Sequence, residues 1–303
     1  MSDLPAVANA EMAIYDMVNR VFALTDLRPS TRKTYVHAAK SLTAWATGRA
    51  LHVRILVEYK DHLNSRTSLS AKTKNLYLAA ARTVFRELFT LGVLAYDASK
   101  PVRAFEITRG HKRPPVSDKQ VERAFAYVAR KRDKRLLLIL NLLFRQGLRQ
   151  KEVVDVRVED FNEHAATLAI LGKGRDDREA VHLHPETVRA LTAYLTEQGM
   201  NSGYIFASRK RAGGHIGTSA LYKIVREVHA ACGIANSPHT WRKVFTSKLI
   251  ESGLNLLDVQ AFTRHRSLEQ LRVYNDRISF QKSLPAYYRA FGTDHLRTND
   301  VSA

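Results

Sequence analysis

A chain of 303 residues, 45% of them hydrophobic, is long enough for two domains and a sizeable buried core. Its 48 Lys+Arg against 29 Asp+Glu give a net charge of +19 and a pI near 10.1, which favours a polyanionic partner, most simply nucleic acid. The single cysteine, Cys232, excludes an internal disulfide and a cysteine-built metal site, and reads as a small buried apolar residue.

The opening stretch MSDLPAVANAEMAIYDM lacks the basic start and apolar run of a signal peptide. The longest apolar stretch, residues 136–144, is too short to cross a bilayer and is interrupted by Asn141. No membrane is therefore expected as a partner, and an intracellular, cytoplasmic location is the natural expectation.

The first hundred residues show helical patterns only. Short helices are predicted over 11–24 and 53–63. Ser30-Thr31 is read as the cap of a helix that places Tyr35, Ala38, Ala39, Leu42 and Trp45 on one face. A further helix after Ser70 carries Leu76, Ala79, Ala80, Val84, Phe85 and Leu88 and ends near Gly92. The segment from Arg103 to Ser117 then loses periodicity, gains positive charge and contains Pro114-Pro115, which cannot continue a helix. It sets the expected organisation: a helical domain over 1–105, a linker over 106–116, a second domain over 117–292 and a tail over 293–303. Residues 1–105 hold 15 Lys+Arg against 8 Asp+Glu, and the remainder 33 against 21, so both halves are basic. Two basic domains on a basic linker fit a clamp closing on a duplex from opposite sides, although each could equally be an ordinary solvated surface.

In the second domain Ser117 is read as capping a helix with Val121, Ala124, Phe125 and Val128 on one face. Residues 136–144 follow as a central buried helix that stops at Gly147. The runs VVDVRV, ATLAIL and EAVHLH, separated by FNEHA and GKGRDDR, are read as a small antiparallel sheet of two or three strands. Helices resume from Pro185 to Gly199 and from Thr218 to Cys232. The predicted fold class is mainly α with a small antiparallel β-sheet.

Six residues stand out in this frame. Arg149 follows Gly147-Leu148, where a glycine turn aims the next side chain, and Glu152 is spaced to orient its guanidinium. Lys173 lies between two glycines at a predicted hairpin tip. His239 and Arg242 share one face at a helix start, where free N–H groups add to an anion site. His265 precedes Ser267, read with Gln270 as a capping box for a helix that carries Tyr274. Singly, each has an ordinary alternative: a surface ion pair, a polar hairpin tip, a core aromatic. Together they can hold a phosphodiester, attack it with a phenolic oxygen and protonate the leaving oxygen, with no metal or other cofactor expected.

Residues 145–153, 171–175, 239–249 and 263–276 resemble the motif set of the tyrosine recombinase (phage-type integrase) family, and residues 25–105 are similar to that family's helical core-binding domain. The resemblance implies a SAM-like core-binding domain and an α+β catalytic domain forming a clamp around DNA. Arg149, His239 and Arg242 would bind the scissile phosphate, with His265 assisting and Glu152 in the usual acidic position. Lys173 would act as general acid, and Tyr274 would form a 3′-phosphotyrosyl link. Strand exchange would pass through a Holliday junction without ATP, for integration, excision or resolution of a mobile element. Implied partners are double-stranded DNA with inverted-repeat core sites, three further copies joined by a C-terminal helix, and accessory proteins. Phe280, Leu284, Tyr287, Tyr288 and Phe291 form the apolar stripe of that helix, which could also pack on its own domain. The implied location is the nucleoid. A type IB topoisomerase shares the same residues, and a DNA-binding protein without turnover could keep the fold. Three features depart from the family pattern: Arg264 where glycine is usual, Lys243 where many members have histidine, and Phe144-Arg145-Gln146 in place of small and hydroxylated residues.

Overall fold

The computed structural model describes residues 18–100, 102–107, 115–172, 177–265, 267–269 and 271. Predicted features at Lys173, Gln270, Tyr274, most of the linker and the C-terminal stripe lie outside these residues. The chain divides into two compact units, 1–110 and 111–303.

In the first unit, residues 18–24 are helical and lead into α1 (Pro29–Ala46), α2 (Ile55–Ser65) and α3 (Ala71–Thr90). Helix α1 starts at Pro29, not at a serine cap as predicted. Arg28 occupies the cap position without a side-chain bond, and proline's fixed φ suits the first helical residue. Ser30 and Thr31 therefore lie inside the first turn, where the Ser30 carbonyl accepts from the Thr34 hydroxyl at 2.9 Å. Ser70 does cap α3, accepting from the Thr73 amide at 3.2 Å. Phe22, Leu42, Tyr59, Leu63, Leu78 and Phe85 form the core. Burial raises the Tyr59 phenol to about 12. The chain leaves this unit pinned: Asn75 donates to the Phe105 carbonyl at 2.9 Å and accepts from its amide at 2.7 Å.

The second unit begins with α4 (Asp118–Lys131), closed by a capping box in which Ser117 and Gln120 each receive the other's backbone amide. Helix α5 (Lys134–Phe144) buries all residues from Leu138 to Leu143 and forms the centre of the unit. It packs against α4, α6 (Gln150–Asp155), α7 (Pro185–Gln198) and α9 (Thr240–Glu251). Helices α8 (Thr218–Ala231) and α10 (Leu256–Thr263) complete the helical set.

A three-stranded antiparallel sheet, in the order β1-β2-β3, joins β1 (Phe161–Asn162), β2 (Thr167–Leu171) and β3 (Arg178–His182). Leu168 pairs with both Phe161 and Val181, and Ile170 pairs with Glu179. Leu168 and Ile170 point into the core, the period-two burial of a sheet covered on one face. Two of the predicted strand runs are strands. The run VVDVRV is not: residues 150–155 are α6, and Val158–Asp160 form a 3-10 turn. The alternating valines imitate a strand, but Glu152 closes a capping box on Arg149 and forces a helical turn there. The first strand comes instead from Phe161-Asn162, read from sequence as a connection.

Candidate active site

Three chain segments far apart in sequence meet at one cluster. The first is the turn after α5. Gly147 has φ +58, and a Cβ built on it would meet the Phe245 ring at 2.2 Å. Glycine is thus required twice, by the left-handed backbone and by the close approach of α9. The Leu148 amide returns to the Leu142 carbonyl at 3.0 Å, closing the helix end. The chain then enters α6 with Arg149 in the cap position.

The Arg149–Glu152 pair expected from spacing is present as a double contact. Glu152 accepts from the Arg149 amide at 2.8 Å through Oε2 and from the guanidinium Nη1 at 2.6 Å through Oε1. Glu152 is 2% exposed. Burial pushes its carboxyl up, but Arg264, the Arg149 amide and the Arg149 guanidinium together outweigh it and hold the group below the usual carboxylate range.

The second segment is α9. Its first turn follows Pro238, with His239 in the cap position in αR geometry and no side-chain cap bond. Trp241 anchors the helix in the core, edge-on to Phe144 at 5.9 Å and to His229 at 5.5 Å. Arg242 is 3% exposed. Its Nη1 donates to the Gly147 carbonyl at 2.6 Å, and its Nη2 donates to the Thr263 carbonyl. These two bonds fix the guanidinium plane and tie together all three segments. The sequence places Arg242 at a helix surface beside His239; the structure adds that it is a buried strut.

The third segment is the end of α10, from Thr263 to His265. Thr263 Oγ1 lies 2.7 Å from the Val259 carbonyl and 2.6 Å from His265 Nδ1. The carbonyl can only accept, so the one hydroxyl proton goes there and the oxygen accepts from Nδ1–H. That assignment leaves Nε2 as the lone-pair nitrogen of a neutral ring. Gln260 Nε2 holds the His265 carbonyl at 2.9 Å. Neither Thr263 nor Gln260 was marked from sequence, because a helical threonine and glutamine carry no pattern of their own.

Electrostatics binds the cluster together. Burial, then the charges of Arg242, Arg149, His239 and Arg264, lower the His265 pKa to about 4. Partial desolvation of the ring, then Arg242, Lys243 and Arg149, also lower that of His239, although the residue as a whole stays exposed. Both imidazoles are neutral at pH 7 and surrounded by permanent cations. Arg149, Glu152, His239, Arg242 and His265 are thus brought to one place. No group of three or more His, Cys, Asp or Glu able to hold a metal occurs among the described residues.

Arg264, which sequence marked only as a departure, has φ 54 and ψ 42. A left-handed turn is what a glycine there would supply, so the turn is kept, at a cost of about 1–2 kcal/mol for a residue with a Cβ. Its side chain is 7% exposed and donates through Nη2 to Glu152 Oε2 at 3.1 Å. The Phe144-Arg145-Gln146 departure is structural. Phe144 stacks edge-on with Phe125 and Trp241, Arg145 lies 4.7 Å over the Phe125 ring, and Gln146 is buried against Thr187. Cys232 is buried at the end of α8, as its sequence context predicts. No described helix is long and apolar enough to cross a membrane.

The chain matches the phage integrase family model over residues 115–279. It is similar to a tyrosine recombinase of Pseudothermotoga lettingae, 30% identical over 229 residues that cover 74% of each chain. It is also 27% identical to tyrosine recombinase XerD of Pseudomonas aeruginosa over 265 residues, 82% of this chain and 87% of that one. Among solved structures, the XerH recombinase in a post-cleavage complex with a palindromic difH substrate matches with a TM-score of 0.73. It is 18% identical over 95% of this chain and 98% of that one. A lambda integrase dimer on a COC′ core site matches at 0.68, with 15% identity over 89% of this chain and 78% of that one. At such identities the structural likeness is one of fold. The family match spans more than half of the sequence and carries the cluster described above. This chain belongs to the phage integrase family of tyrosine recombinases, enzymes of site-specific DNA recombination.

Proposed function

We propose that the cluster binds the scissile phosphate of duplex DNA and that Tyr274 cleaves one strand by attacking it. The observation that carries this reading is the convergence of Arg149, His239, Arg242 and His265, held by Arg242's bonds to Gly147 and Thr263. Such a cradle stabilises charge as it develops on the phosphate oxygens, which is most of what phosphoryl transfer asks of a protein.

The Tyr274 oxygen forms a bond to phosphorus as the bond from phosphorus to the 5′ oxygen breaks. A 3′-phosphotyrosyl link and a 5′-hydroxyl result. The phenolic proton passes to a base, a role suited to the neutral His265 with its lone-pair Nε2. Lys173 gives a proton to the leaving 5′ oxygen. A 5′-hydroxyl from the partner strand then attacks the phosphotyrosyl phosphorus and frees the tyrosine. The phosphodiester energy is conserved in the link, so the exchange runs without ATP and passes through a Holliday junction.

In this reading DNA is the partner, as in the complexes named above. The helical unit at 1–105 adds DNA contacts of its own, and four copies linked through their C-terminal segments synapse two sites. The net charge of +19 agrees with a polyanionic partner. A nicked suicide duplex tests the reading: a covalent protein–DNA adduct forms with the wild type and is absent in Tyr274→Phe. No adduct from the wild type refutes it. Exchange between two sites, as opposed to relaxation of a plasmid alone, separates recombination from topoisomerase action.

A further inference from the structure

Arg264 does more than fill a turn. It occupies a left-handed position that an L side chain rarely adopts. Its guanidinium is nearly sequestered and reaches 112 residues back in sequence to Glu152. Glu152 Oε2 is shared between Arg264 Nη2 and the Arg149 amide, while Oε1 takes Arg149 Nη1. The carboxylate is therefore a bridge with an arginine on each side. Without Arg264, Oε2 keeps only the Arg149 amide, and the carboxylate that holds Arg149 loses its tie to the segment carrying His265.

The bridge also spans the cluster. Arg264 immediately precedes His265, and Glu152 belongs to the first turn of α6, which begins next to Arg149. Arg242 links the same two segments through main-chain carbonyls. The second tie, through side chains alone, exists only because position 264 carries an arginine.

We propose that Arg264 is a positioning residue: through Glu152 it holds Arg149 and the His265 segment at the spacing that phosphate cleavage requires. This rests on the proposed phosphate-binding role of the cluster. Glycine is the informative replacement because it keeps the turn while deleting the tie.

Single-turnover cleavage of the nicked suicide duplex at saturating protein, with affinity for uncleaved duplex measured alongside, tests the proposal. R264G is expected to form the covalent adduct about 10- to 100-fold more slowly, the scale of a small misplacement of a positioning group. Duplex affinity stays within about twofold, since only the reacting geometry changes. R264K, which keeps the charge without the fork, recovers part of the rate. E152Q/R264G is no slower than E152Q, because both lesions break one tie.

A wild-type rate in R264G overturns the proposal, as do independent, multiplying effects of the two lesions or a loss of affinity parallel to the loss of rate. Should R264G fail to fold, R264Q, which keeps the stem but not the charge, is judged by the same criteria. A wild-type protein that makes no adduct instead fails the functional reading itself and takes this proposal with it. An adduct from the wild type formed equally fast by R264G refutes the role of Arg264 alone.

Discussion

Gly147→Ala is the substitution whose cost can be worked most directly from the structure. Two penalties add. A residue with a Cβ held at φ +58 pays about 1–2 kcal/mol for the left-handed backbone. The Cβ would also lie 2.2 Å from Phe245 Cδ1, inside contact distance with a ring that belongs to α9. Overpacking of this kind costs about 1–3 kcal/mol. The expected loss is therefore about 2–5 kcal/mol. Gly199 provides the internal control: it has φ +59, and nothing lies within 4 Å of a Cβ built there. Gly199→Ala should show the backbone penalty alone, about 1–2 kcal/mol. The assay is urea unfolding followed by tryptophan fluorescence in a Trp45→Phe background, which leaves Trp241, the only other tryptophan, as reporter of the second unit. The double variant G147A/F245A should show a smaller effect of the alanine at 147, because the opposing ring is gone. Equal costs at 147 and 199 would mean that Phe245 moves aside freely, and the argument that α9 is braced on this turn would fail. G147A should also slow adduct formation, since its carbonyl fixes Arg242 at 2.6 Å.

Three further outcomes follow. Glu152→Gln removes the one carboxylate between two guanidiniums and should destabilise the fold by about 3 kcal/mol, read as a lower urea midpoint; an unchanged midpoint would show that the bridge is idle. Stability should fall on acidification from pH 6.5 towards 4. The unfolded chain binds a proton at His265 before the folded one does, so up to about 3 kcal/mol present above pH 6.5 is lost, and His265→Gln should flatten that part of the profile. Binding of uncleaved duplex should take up protons, because an arriving phosphate raises the depressed pKa of His239. Calorimetry in buffers of different ionisation enthalpy measures the uptake, and buffer-independent heats at pH 6 would count against the phosphate lying beside His239.

The helical elements were legible where periodicity and punctuation agreed. Ser70, Ser117, Pro185 and Gly199 mark ends that the structure places within a residue, and Gly147 follows the end of α5 by three. Two boundaries misled for local reasons. Pro29 outcompeted Ser30 as a helix start, and Val153 to Val158 alternate like a strand while Glu152 closes a helical turn behind them. Arg149, His239, Arg242 and His265 could be picked out as candidates because each sits beside a strong local signal. Their supports could not. The bonds from Arg242 to two carbonyls, from Thr263 to His265 and from Arg264 to Glu152 cross between segments, and sequence spacing carries no record of such contacts.

Those supports explain how so many cations share one place. Arg149, Arg242 and Arg264 carry permanent charge, and Glu152 opposes Arg149 and Arg264 directly. Arg242 is held by carbonyl dipoles at the turn after α5 and the end of α10. The two histidines then lower the remaining repulsion by staying neutral, which their depressed pKa values require. The arrangement is paid for during folding, so an anion entering it meets donors already aimed and needs little reorganisation. The same logic sets the direction of failure. Removing a cation from this cluster relaxes the protein's own repulsion, whereas removing a tie such as Gly147 or Glu152 leaves the cations in place and lets them drift. Loss of a tie should therefore reduce the rate of cleavage far more than the affinity for DNA, and that asymmetry distinguishes a preorganised cradle from a merely basic surface.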